Sequence, residues 1–145
     1  MGQKLRQLSS STLGVMFALL IGLSAGIVRA DGQDDVMDAI KKRKNLYFVE
    51  IKDVKISKIL PDDTQGLPHQ RWLVKLADGR EIMAVYNTGE FSRVPVKEGD
   101  VVSMGGEFKM TEVGPLIHWL HEDPRDRRPD GYVECDGIEY GKITK

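Results

Sequence analysis

Asp78-Gly79, set between two runs of alternating apolar residues, constrains this chain more than any other feature. A two-residue Asp-Gly loop reverses a strand tightly, and the flanking residues then pair by arithmetic. Ala77 faces Arg80, Val74 faces Met83 and Trp72 faces Val85. This register predicts one face of Trp72, Val74, Leu76, Met83 and Val85, which is the core side. The opposite face receives His69, Arg71, Leu73, Lys75, Ile82, Ala84 and Tyr86.

Further strands are predicted on both sides of this hairpin. Residues 46–60 alternate, but Val49 and Ile51 are out of phase with Val54 and Ile56, so a bulge is expected near Asp53. Residues 61–68 read as a loop, and 87–96 as an irregular connection with room for a helical turn. A fourth strand covers 101–110, with Val102, Met104, Phe108 and Met110 inward and a bend at Gly105-Gly106. A fifth covers 116–119, and a hairpin around Asp136-Gly137 ends the chain. Ahead of the strands, residues 34–44 predict a short helix, acidic at its start and basic at its end, as the helix dipole favours. A solvated helix end accounts for the run Lys41 to Lys44 better than a binding patch does. The pattern implies a mainly β fold, a five-stranded barrel of the oligonucleotide/oligosaccharide-binding type, with an SH3-like barrel as the alternative.

The chain of 145 residues divides into an export segment at 1–30, the helix at 31–45 and the barrel domain at 46–145. Lys4 and Arg6 precede an uncharged run from Gln7 to Val28, and Val28 and Ala30 suit a cleavage site before Asp31. The domain is therefore expected in the bacterial periplasm or outside the cell. The alternative is an uncleaved inner-membrane anchor with the domain outside, which would be its sole membrane contact. Three of the 21 Lys and Arg residues and none of the 22 Asp and Glu lie in residues 1–30, so the remainder carries a formal charge of −4. That balance excludes a general nucleic-acid binder. The single cysteine, Cys135, can form no internal disulfide; beside Tyr132 and Val133 it reads as a buried strand residue rather than a link to another chain.

Two groups could carry chemistry. The first is His118-Trp119-Leu120-His121-Glu122-Asp123-Pro124, whose imidazoles and carboxylates suit a divalent metal or acid–base work. In a strand, however, His118 and His121 point apart, and an ordinary strand end with an Asp-Pro turn accounts for the segment equally well. The second is the outer face of strands two and three, where His69, Arg71, Lys75 and Tyr86 would gather. In this barrel class that face binds ligands together with the loops joining strands one to two and four to five. A plain solvated face is the competing account. Glycine loops for phosphate and a Gly-x-Ser-x-Gly nucleophile setting are both missing, and Cys135 has no nearby histidine in sequence.

Several of these residues resemble a known family. Leu60-Pro61-Asp62-Asp63, His69-Gln70-Arg71, Gly99-Asp100-x-Val102 and Gly114-x-x-Ile117-His118-Trp119-x-His121-x-Asp123-Pro124 resemble a group of small exported bacterial proteins. These form a domain of unknown function with a His-Trp-Thr-His-His-Asp-Pro signature. The likeness spans roughly residues 50–140 and implies an envelope or secreted protein, but no activity. Leu120 stands here for Thr, Glu122 for the last His, Arg128 for a further His, Tyr132 for Trp, and Tyr86-Asn87 for a His-Asn pair.

The leading expectation is an exported, non-enzymatic binding module for a small or oligomeric ligand, with no cofactor. Its ligand-binding residues are expected among His69, Arg71, Lys75, Tyr86, His118, His121 and Asp123. The alternative is a metal-assisted hydrolase, acting for instance on phosphodiesters, built on His69, His118, His121 and Asp123.

Overall fold

A computed structural model describes residues 31–143. The export segment expected at 1–30 lies outside the described residues. Among the described residues no helix is long and apolar enough to cross a membrane. The described residues are mainly β, with one helix, α1 (Gln33–Lys42), and seven strands in a single sheet. The strands are β1 (Leu46–Asp63), β2 (His69–Lys75), β3 (Glu81–Asn87), β4 (Val101–Thr111), β5 (Gly114–His118), β6 (Tyr132–Cys135) and β7 (Ile138–Tyr140).

Helix α1 carries Asp34 and Asp35 in its first turn and Lys41 and Lys42 in its last. It stops at Arg43, which is left-handed with φ 51°, and packs Val36 and Ala39 into the core.

The first five strands close into a ring: β1 pairs β2, β2 pairs β3, β3 pairs β5 in parallel, β5 pairs β4, and β4 returns to β1. Strand β6 adds to β4, and β7 adds to β6. Closure depends on β1, which reaches Asp63 rather than ending at residue 60 and serves two partners in turn. Its first part pairs β4 as far as Lys55, and its second part pairs β2 from Lys55 onward. The change of phase falls where the sequence places it. Asp53 has φ 49°, and the register with β4 slips between Ile51 and Val54. Such a bulge bends the strand, as a closed ring requires. Trp72, Ile51, Ile56, Met104 and Phe108 fill the interior, all essentially inaccessible to solvent. Cys135 is also buried, and burial pushes its thiol pKa up.

The first hairpin overturns the expected register. Trp72 pairs Ala84 and Val74 pairs Ile82, one residue away from the two-residue-loop arithmetic. The Leu76 N–H donates to the Arg80 carbonyl at 2.8 Å, so the turn contains three residues, Ala77, Asp78 and Gly79. A two-residue loop of this type needs positive φ at both central positions. Here Gly79 has φ 86°, and Asp78 is not in the left-handed region. A slip of one residue moves a strand's whole side-chain set to the other face. Ile82, Ala84 and Tyr86 are therefore inside with Trp72, Val74 and Leu76, while Met83 and Val85 face outward, half-buried. His69, Arg71, Leu73 and Lys75 keep the outer face, and Tyr86 leaves it. The segment after β3 forms turns rather than a helical turn.

Candidate functional site

The site begins at the end of β5. Ile117 is buried in the core, so its neighbour His118 faces outward, as alternation predicts. The strand ends there because Trp119 takes a left-handed backbone with φ 59°, which is an outlier for a bulky residue. Three glycines form the bed for this bend. A Cβ at Gly131 would lie 1.9 Å from the Trp119 carbonyl oxygen, one at Gly106 would lie 2.4 Å from that of His118, and one at Gly141 would lie 2.6 Å from that of Leu120. The Gly131 N–H donates to the His121 carbonyl, and the Glu122 N–H to the Gly141 carbonyl, each at 2.8 Å. Leu120 is thereby buried in the core, and His121 comes round to the side of His118. A straight strand would have pointed the two rings apart.

His69, His118 and His121, the chain's three histidines, line one cavity of about 570 Å³. Val85 and Asn87 from the outer side of β3, with Trp119, Glu90 and Arg125, complete much of its wall. Leu67 of the β1–β2 loop also contributes, whereas the β4–β5 loop, expected to take part, does not line it.

The other expected ligand residues behave differently. Arg71 Nε donates to the Pro61 carbonyl at 3.0 Å and does not line the cavity. Lys75 lies at the far end of the face, opposite Lys55 and Glu81. Tyr86 is inside, its hydroxyl donating to the Ser92 carbonyl at 3.0 Å, and burial pushes its pKa up to about 12. Asp123 reaches the cavity wall, but its carboxylate accepts the backbone N–H groups of Arg125, Arg127 and Arg128 at 3.0, 2.7 and 3.1 Å. Those bonds hold its carboxyl below the usual range and make it the organiser of the 123–130 loop.

The two histidines of the bend are held differently. His121 is 6% exposed and lies between Phe91, stacked at 4.4 Å, and Trp119, tilted at 4.8 Å. Its Nδ1 lies 2.7 Å from the Glu122 carbonyl oxygen, which can only accept. The proton therefore sits on Nδ1, and Nε2 is an acceptor in the neutral ring. His118 Nε2 lies 3.1 Å from Glu107 Oε2, at an angle too poor for a well-aligned hydrogen bond. Burial pushes the His118 pKa down; Glu107 opposes this, while Lys109 and Arg128 act with burial. Burial acts to raise the Glu107 carboxyl, but His118, Lys109 and Arg128 outweigh it and hold it low. Arg128 bonds Glu107 at 3.1 Å and covers the Trp119 ring at 4.4 Å. Among the described residues, no three His, Cys, Asp or Glu side chains are grouped so that they could hold a metal ion.

Glu107 is the residue that reading along the chain missed. Its signal is the β4–β5 hairpin, in which Thr111 pairs Gly114 across Glu112-Val113 and the same count pairs Glu107 with His118.

A family model described as "Protein of unknown function (DUF3465)" matches residues 19–141. No curated protein and no solved structure matches the chain.

Proposed function

The chain belongs to that family of unknown function, and we propose that it is an exported, non-enzymatic binding module that takes a small organic ligand into the histidine-lined cavity. One observation carries this reading. A strained Trp119 backbone brings His118 and His121 onto the wall that also holds His69. Strain of this kind costs about 1–3 kcal/mol and clusters at functional sites. The volume, about 570 Å³, is in the range of small-molecule sites, and apolar walls with a few fixed polar groups are their usual make-up. We read the five-strand ring, in the order β1-β2-β3-β5-β4, as an oligonucleotide/oligosaccharide-binding barrel. On that reading the ligand sits against the outer face of β2 and β3, at its His69 end. With residues 1–30 taken as an export signal, the module works in the bacterial envelope or outside the cell.

The test is amide chemical-shift mapping of the protein against a small-molecule fragment set. The expected result is that saturable hits move resonances of His69, Asn87, His118, Trp119 and His121, and that His118→Ala weakens them. Hits that cluster elsewhere, or a cavity that no fragment enters, would overturn the reading.

A metal-assisted hydrolase is the second reading, and one observation favours it. Histidines that ligate metals usually direct their other ring nitrogen to a carboxylate or backbone carbonyl. His118 and His121 do so with Glu107 and Glu122. Against it stand the Asp123 carboxylate, already taken by backbone N–H groups, and, among the described residues, the lack of three grouped donors. Stoichiometric zinc or manganese in purified protein, lost on His118→Ala/His121→Ala, would transfer the assignment to this reading.

A further inference from the structure

Resting on the binding-module reading, we infer that the ligand is a neutral, hydroxyl-rich molecule of the saccharide class, held in the histidine-lined cavity with a hydroxyl donating to the His121 imidazole.

Charge is the first ground. The carboxylates around the cavity are already matched. Asp123 is taken by three backbone N–H groups, Glu107 by Arg128 and Lys109, and Glu90 by the Asn87 amide at 3.0 Å. Among the described residues Arg125 is the one cation of the wall, beside two carboxylates, so no surplus positive charge favours a phosphate.

Hydrogen-bonding capacity is the second. His121 Nε2 has no partner among the described residues, and the Nδ1 bond to the Glu122 carbonyl leaves it an acceptor in the neutral ring. A hydroxyl group donates to this nitrogen without bringing a charge, whereas a carboxylate has no proton to donate.

Shape is the third. Arg128 covers the Trp119 ring at 4.4 Å and His121 flanks it at 4.8 Å, which immobilises the indole. Trp119 and Val85 give the cavity apolar wall and His69, His118 and His121 give it polar wall, which suits a ring that is apolar on its faces and polar at its rim. The volume of about 570 Å³ accommodates one or two such rings.

The experiment uses the exported chain with Trp72→Phe as background, so that Trp119 is the sole indole reporter. Probes are maltotriose and diacetylchitobiose as neutral sugars, adenosine monophosphate as an anion and spermidine as a cation. The expected result is saturable quenching of Trp119 by a neutral sugar, with a Kd that shifts less than about twofold between 0.05 and 0.5 M NaCl. His121→Gln should weaken it about tenfold. Because that variant could fail to fold, amide shift mapping on the unmodified chain provides the same localisation. If the anion or the cation fills the cavity and the sugars do not, the saccharide assignment falls and the binding module stands. If neither these probes nor the fragment set enters the cavity, both fall.

Discussion

The outer face of β2 and β3 has two ends, and they differ sharply. At the Lys75 end the face is open, edged by Lys75, Glu81 and the exposed Ala77-Asp78-Gly79 turn. At the His69 end residues of the segment 119–125 wall a cavity that stays partly open. Both ends belong to the same two paired strands. The difference comes from what is added: a glycine-bedded bend after β5, with a loop organised by Asp123, supplies the missing wall. A sheet face alone displays side chains, whereas a site needs a second element to exclude water.

Glycine substitutions break the comparison most directly. Gly131→Ala places a Cβ against the backbone of Trp119 and Gly105, so a backbone shift is unavoidable. It should destabilise the domain by about 3 kcal/mol in urea unfolding and scatter the His118 and His121 resonances. Gly79→Ala meets nothing within 4 Å and bears only the cost of φ 86°, about 1–2 kcal/mol, with the cavity resonances unmoved. Equal losses at the two positions would show that the bend is not tightly bedded. Tyr86→Phe removes the hydroxyl bonded to Ser92. A loss of about 1 kcal/mol is expected, and no loss would contradict the inward placement of Tyr86.

Acid should act on the His69 end through His118 and Glu107, whose pKa values are both depressed by folding. The unfolded chain then binds more protons, so stability is full above the ordinary values of 6.5 and 4.5 and falls as pH drops through the folded ones. In His118→Gln the unfolding free energy should fall less between pH 6.5 and pH 5 than in the unmodified chain. An identical slope would remove His118 from the account. The smallest effect belongs to the open end: Lys75→Ala should change stability by less than about 0.5 kcal/mol and leave fragment binding unaltered.

Much of the fold was legible because alternation and turn chemistry are local. The phase change around Asp53, the inward set of β4 and the burial of Cys135 all follow from their own neighbours in sequence. The site was half legible. His69, His118, His121 and Asp123 could be singled out by type, but Glu107 could not, since its role depends on pairing with His118 across a hairpin. Arg71, Lys75 and Tyr86 shared a predicted face with His69, yet the first two stay outside the cavity wall and Tyr86 is in the core.

The two Asp-Gly reversals mark the boundary between these kinds of information. At Asp136-Gly137 both residues have positive φ, 52° and 74°, and Cys135 pairs Ile138 across a two-residue loop. At Asp78-Gly79 the same dipeptide sits in a three-residue loop, and the strand faces invert. Residue order alone determined that the chain would reverse at both places, that the strands would be amphipathic, and which residue types could do chemistry. Which face turned inward, and whether His118 could share a wall with His121, was decided by packing. Register is strongly specified where one face is buried, and the same dipeptide fits either loop length, so the choice rests on contacts with strands distant in sequence.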